Sequence, residues 1–225
     1  FDGPGQGQSN LRGIRLTADS YENATSAVLD YLLKRPEIDP KKVGVYALSF
    51  GSYWGMRIAS SERRLCAVAA PWSSFVDNYY LLNEESPRYK QLFAFLTQSK
   101  SEEELDKVVA EMTMEGRMDK VTCPTLLVSG EFDPRCPLEE VYRLFDQMKA
   151  PAELWVMPDQ HHNNTVSGGA RSAVWESDMH AFVCDWLRER FNGVPVKHPG
   201  KVLRLETSGA GPNSPSVSLK RRWFE

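Results

Sequence analysis

Three kinds of side chain that together can break an acyl bond occur in this chain in a workable order. The stretch "YALSFGSYWG", Tyr46 to Gly55, holds two serines, Ser49 and Ser52. Further on, "TLLVSGEFDPRCP" brings Asp133, with Glu131 just before it as a rival, and "ELWVMPDQHHNNT" brings His161 and His162. A serine hydroxyl is a weak nucleophile until a base takes its proton, and the base works best when an acid orients it.

Ser49 is the better of the two serines. If a strand ends near Ala47 and a helix starts near Gly51, Ser49 sits at the apex of a tight turn, where residues two before and two after must be small. Ala47 and Gly51 meet that demand, whereas Phe50 and Trp54 flank Ser52 at the same offsets. The backbone N–H of Phe50, at the helix N-terminus, would then face a developing oxyanion. Without the chemistry, Ser49 reads as a helix N-cap and Asp133 as a loop cap. Asp133 follows its strand by a short loop that Pro134 and Pro137 stiffen, and Glu131 lies nearer the strand end. Of the four histidines, His180 falls on an amphipathic pattern and His198 in the tail, so His161 and His162 remain as bases. His161 is preferred with His162 close behind, and spacing does not decide between them. Adjacent histidines point in different directions, and no carboxylate or cysteine stands at ligand spacing, so neither a metal nor any other cofactor is expected.

The elements that must position these residues alternate. A helix is expected from about Asp19 to Lys34, capped by Asp19 with Glu22. "VGVYAL", "LCAVAAPW", "TLLVSG" and "AELWVM" read as short buried strands, with "PLEEVYRLFDQM" as a helix between the last two. "SAVWESDMHAFVCDWLRERFNG" reads as an amphipathic helix with Trp175, Met179, Phe182, Val183 and Trp186 on one face, ended by Gly193. Strands alternating with helices give α/β architecture with a parallel sheet. Residues 73–120 break the alternation and are read as a helical insertion on the sheet. Residues 193–225 turn to Pro, Gly, Ser and Lys and are expected to be mobile, although "KVLRLET" could pair as a strand.

Composition sets outer bounds. The 225 residues are 41% apolar and 25% charged with a net charge of −3, which fits a globular protein and gives no nucleic-acid surface. No apolar run approaches the ~20 residues of a membrane helix. Cys66, Cys123, Cys136 and Cys184 are widely spaced and read as reduced and mostly buried. The partner expected is a small-molecule substrate, with no nucleic acid and no membrane; a homodimer is left open, and a cytoplasmic location is expected. The chain starts at Phe1 inside a glycine-rich turn, which points to a fragment whose N-terminal part is missing.

With these motifs together the sequence resembles the α/β-hydrolases. More narrowly, it is similar to the group holding dihydropseudooxynicotine hydrolase, the fungal hydrolases that shorten polyketide pyrones, and the related FrsA-like esterases. The resemblance rests on "FDGPGQGQS", "GVYALSFGSYWGMRIA" and "MTMEGRMDKVTCPTLLVSGEFDPRCP" and covers roughly residues 1–192. It implies a core of residues 1–72 and 121–192, a helical lid over 73–120, and first strands that are absent. It implies Ser49 as nucleophile, Asp133 as acid and His161 or His162 as base. Phe50 N–H is half of an oxyanion hole whose other donor comes from the missing part, so the fragment alone is expected to be inactive. Ala47 stands where glycine is common. The expected reaction is hydrolysis of an ester, or of a C–C bond next to a ketone, in a small aromatic or polyketide-like substrate. Tyr53, Trp54, Trp72, Phe75 and Tyr79, with Tyr80, Tyr89, Phe93 and Phe95, are candidate pocket residues, and Asn163 and Asn164 candidate neighbours of the base. An acyltransferase on the same triad and a non-catalytic binding protein of this fold are the alternatives.

Overall fold

Four short strands are largely apolar, as strands covered on both faces tend to be, with Thr125, Ser129 and Glu153 as buried exceptions. They are β1 (Gly44–Tyr46), β2 (Ala67–Pro71), β3 (Thr125–Gly130) and β4 (Ala152–Met157), and the last three are buried throughout. The computed structural model describes residues 1–72, 82, 86–158, 160–162, 173–207 and 219–223, with side chains omitted for 173–178, 206–207 and 219–223. The four strands pair in parallel and in sequence order.

Helices close both faces. Side chains alternate across a strand, so Val68, Ala70, Leu127, Leu154 and Val156 face α2 (Ser20–Leu32), α3 (Phe50–Ser61) and α6 (Leu138–Phe145). Ala67, Ala69, Leu126, Val128, Trp155 and Met157 face α7 (Ala173–Phe191) through Met179, Val183, Trp186 and Leu187. Gly193, with φ 75°, ends α7: its N–H bonds the Arg190 carbonyl and that of Val194 bonds Glu189. The side chain of Trp175 lies outside the described residues. The expected cap of α2 forms differently. Asp19 makes no cap hydrogen bond and instead accepts from Thr17 and Asn23, while Glu22 pairs with Arg57.

Within residues 73–120, α4 (Pro87–Thr97) and α5 (Glu102–Ala110) follow the polar, aromatic helical pattern. Ser86 and Ser101 cap them through the N–H groups of Arg88 and Glu104. The glycine-rich opening contains α1 (Gly7–Leu11), a single short helix. It ties to α4 through Leu16 N–H on Leu96 O and Asn10 Nδ2 on Phe95 O.

In the tail, the stretch "KVLRLET" that could pair as a strand does so, and a second strand follows it. β5 (Lys201–Thr207) pairs in parallel with β4, and β6 (Leu219–Trp223) pairs antiparallel with β5, extending the sheet to six strands. Composition hid the second of these strands, because Pro, Gly and Ser crowd the sequence before it. Leu203 and Leu205 complete the α7-side core. Cys66, Cys123, Cys136 and Cys184 are free, and Cys184 is exposed rather than buried.

Candidate active site

Between β1 and α3 the chain reverses in three residues, Ala47, Leu48 and Ser49. Ser49 occupies the apex with φ 54° and ψ −126°, a region that costs a non-glycine residue ~1–3 kcal/mol and persists only where the surroundings enforce it. The enforcement is visible. Ser49 N–H bonds Pro71 O at 3.3 Å, tying the turn to the end of β2. The buried Ser52 hydroxyl bridges Ala47 O at 2.9 Å and Pro71 O at 2.8 Å. The two serines therefore divide the work: Ser52 fixes the turn and Ser49 presents its hydroxyl.

The small-residue requirement holds at Ala47, as the sequence suggested, but not at Gly51. A Cβ on Gly51 would meet nothing within 4 Å, whereas one on Gly55 would stand 2.8 Å from the Ala47 Cβ. Close approach of α3 to β1 is what demands smallness, at positions 47 and 55.

The acid and the base come from neighbouring loops that are stitched together. Glu131 N–H bonds Met157 O and Phe132 N–H bonds Gln160 O, each at 2.9 Å. The stitch runs over Gly130, whose absent side chain lets the Gln160 and His161 carbonyls come close. The result is a continuous line. His162 Nε2 lies 2.6 Å from Ser49 Oγ, and His162 Nδ1 lies 2.7 Å from Asp133 Oδ2. His162 and Asp133 are 5% and 3% exposed, so water is largely kept from the imidazole–carboxylate contact. A carboxylate oxygen can only accept, so the ring hydrogen belongs on Nδ1 and Nε2 keeps a lone pair for the hydroxyl. The Asp133 Oδ1 accepts from Arg135 N–H at 2.9 Å.

Of the two histidines left open by the sequence, it is His162, not the preferred His161, that stands against Ser49. His161 packs edge-on to Phe132, with ring centroids 6.5 Å apart, while His162 reaches Ser49. Glu131, the rival acid, is held by Arg204 on β5, with Oε2 and Nη2 2.8 Å apart.

Of the candidate pocket residues, Tyr53 and Trp54 are core. Tyr53 is fully buried, and its hydroxyl accepts from Arg57 at 3.3 Å; burial raises its pKa well above the usual phenol value. Trp54 stacks on Tyr21 with centroids 4.5 Å apart. Trp72 is buried edge-on against His180, on the α7 side. Phe75, Tyr79 and Tyr80, and Asn163 and Asn164, lie outside the described residues. Phe50, the first residue of α3, packs edge-on against Phe93 of α4 at 4.8 Å, and beside Ser49 a cavity of about 100 Å³ opens between this turn and α4. Its polar lining, Gln6 and Arg135, was missed in the sequence, since only the fold brings the first loop and the acid loop to one wall. Among the described residues there is no group of three or more His, Cys, Asp or Glu able to hold a metal, and no helix is long and apolar enough to cross a membrane.

Comparison with known proteins fits this geometry. Residues 3–193 match the prolyl oligopeptidase family. The chain belongs to that family. Its fold is the α/β-hydrolase fold, and the proteins it resembles are hydrolases. The chain is 33% identical over 135 residues to 2,6-dihydropseudooxynicotine hydrolase of Paenarthrobacter nicotinovorans, covering 59% of this chain and 35% of that protein. It is 24% identical over 233 residues to hydrolase LUC6 of a Fusarium species, covering 85% of this chain and 54% of that protein. The crystal structure of 2,6-dihydroxy-pseudo-oxynicotine hydrolase superposes with a TM-score of 0.74 at 28% identity, over 88% of this chain and 54% of that one. The chain thus spans about half, or less, of the length of these relatives.

Proposed function

We propose that this protein is a serine hydrolase that cleaves an ester, or a carbon–carbon bond next to a ketone, in a small aromatic or polyketide-like substrate. Ser49 is the nucleophile, His162 the base and Asp133 the acid that orients it. The observation that carries this reading is the unbroken line from Ser49 Oγ through both nitrogens of His162 to Asp133.

The steps follow from the geometry. Nε2 of His162 takes the Ser49 proton as Oγ attacks the carbonyl carbon. Asp133 stabilises the imidazolium that forms. The N–H of Phe50 opens α3, where it has no acceptor within the helix, and it points with the helix dipole toward the developing oxyanion. Collapse expels an alkoxide, or a carbanion that its ketone stabilises as an enolate, and the Nε2 proton goes to that leaving group. Water, deprotonated by His162, then attacks the Ser49 ester and releases the acid. The strained φ of Ser49 suits this role, because it lifts the hydroxyl clear of both flanking elements. Similarity to 2,6-dihydropseudooxynicotine hydrolase supports the substrate class, as does the aromatic packing of Phe50 and Phe93 beside Ser49.

Labelling the full-length protein with a fluorophosphonate tests the assignment. Modification of wild type at Ser49, absent in Ser49→Ala, is the expected result. Equal labelling of both, or no labelling of wild type, would rule it out.

A further inference from the structure

His180, on α7, takes no part in the line from Ser49 to Asp133, yet it meets two residues that frame the nucleophile turn. Tyr46 ends β1, just ahead of that turn, and its hydroxyl bonds His180 Nδ1. Partial burial raises the Tyr46 pKa to about 12, so the hydroxyl keeps its proton and can donate it. A neutral His180 ring then accepts at Nδ1 and carries its own hydrogen on Nε2. Trp72 directly follows β2, and its ring stands edge-on to His180 with centroids 5.0 Å apart.

Trp72 shares the strain of Ser49. Its φ is also 54°, a region that a bulky side chain occupies only when its surroundings hold it there. The residue before it, Pro71, offers the carbonyl to which the turn is tied. That oxygen accepts from Ser49 N–H at 3.3 Å and from the Ser52 hydroxyl at 2.8 Å. Relaxing the φ of Trp72 would swing the Pro71–Trp72 peptide and carry the Pro71 oxygen away from both donors. One side chain of α7 therefore reaches the strand that leads into the turn and the strand that anchors it.

We propose that His180 is a positioning residue for Ser49, acting through Tyr46 on one side of the turn and through Trp72 and the Pro71 carbonyl on the other. This rests on the serine-hydrolase reading above and adds to it a residue that does not touch the substrate.

The experiment uses full-length wild type, His180→Ala, His180→Asn and Tyr46→Phe. The amplitude of fluorophosphonate labelling counts the folded sites and its rate reads Ser49; kcat and KM are measured beside it on 4-nitrophenyl butanoate. His180→Ala should label and turn over about 10–100-fold more slowly at full amplitude, the scale of a small misplacement of the reacting atoms, with KM near that of wild type. His180→Asn, whose amide oxygen can accept from Tyr46 in place of Nδ1, should recover part of the rate. Tyr46→Phe should slow both processes by about 2–10-fold, the worth of one hydrogen bond. A His180→Ala protein that labels at the wild-type rate, whatever its amplitude, or in which KM alone changes, would overturn the role of His180. So would a His180→Asn protein no faster than His180→Ala. If His180→Ala does not fold, Tyr46→Phe decides, and wild-type rates there overturn the proposal. Failure of wild type to label would instead overturn the hydrolase reading, and this inference with it.

Discussion

Gly130 and His161 meet backbone to backbone: a methyl on the Gly130 Cα would stand 2.5 Å from the His161 carbonyl oxygen and as close to that of Gln160. The acid loop and the base loop share this contact. Gly130→Ala should therefore act on both at once, because neither carbonyl is the end of a flexible side chain. Overpacking of this kind costs about 1–3 kcal/mol. The expected result is a lower urea midpoint together with a fall in kcat larger than the stability loss alone would cause.

The neighbouring histidines should separate cleanly. His162→Ala should lower kcat by at least ~10³-fold, and Asp133→Asn by about 10⁴-fold through the wrong imidazole tautomer. His161→Ala should stay near wild type, since its ring packs against Phe132 rather than Ser49. Steady-state kinetics on an aryl ester decides. A His161→Ala enzyme as impaired as His162→Ala would contradict the assignment.

Ser49 and Ser52 should respond in opposite senses. Ser49→Gly removes the penalty of a positive φ and should stabilise the fold by roughly 1 kcal/mol while abolishing turnover. Ser52→Ala removes the hydroxyl that holds the Ala47 and Pro71 carbonyls together, leaving Pro71 O only the Ser49 N–H, and should destabilise by about 1–3 kcal/mol. Denaturation midpoints measured beside activity distinguish the two.

The positions of Ser49 and Asp133 at the strand ends were legible because each stands a short distance past an apolar strand. The choice between His161 and His162 was not legible. It is set by how the loop passes over Gly130, a contact between segments 30 residues apart in sequence. Tyr53 was misread although the signal was present: Arg57 lies one helical turn on, so the two share a face of α3, and that face is inward. β5 coincides with the stretch "KVLRLET" that could pair as a strand, whereas β6 went unread because a short strand at a sheet edge draws its stability from its neighbour, not from its own composition.

Arg57 offers a test of the scaffold. Its side chain is 2% exposed and bonds Glu22, the Tyr53 hydroxyl and the carbonyls of Glu111 and Thr113, joining α2, α3 and the segment after α5. Removing one partner of a buried pair costs about 3–5 kcal/mol. Arg57→Met should fall near the lower end, since Glu22 keeps Arg117 at 2.9 Å. Arg57→Lys should recover only part, because an ammonium cannot reproduce the fork.

The thiols should react in order of exposure. Cys184 should react first with a disulfide reagent at neutral pH. Cys123, whose pKa burial pushes up to about 11, should resist until the protein unfolds. Early modification of Cys123 in folded protein would contradict the packing around β3.

Arg204 lies beyond the last residue matched to the family, yet its guanidinium grips Glu131, two positions before the acid. Homology and cooperativity thus end at different places along the chain. Trimming the protein at residue 193 would peel away the strand beside β4 and take from the acid loop the Arg204 that grips Glu131.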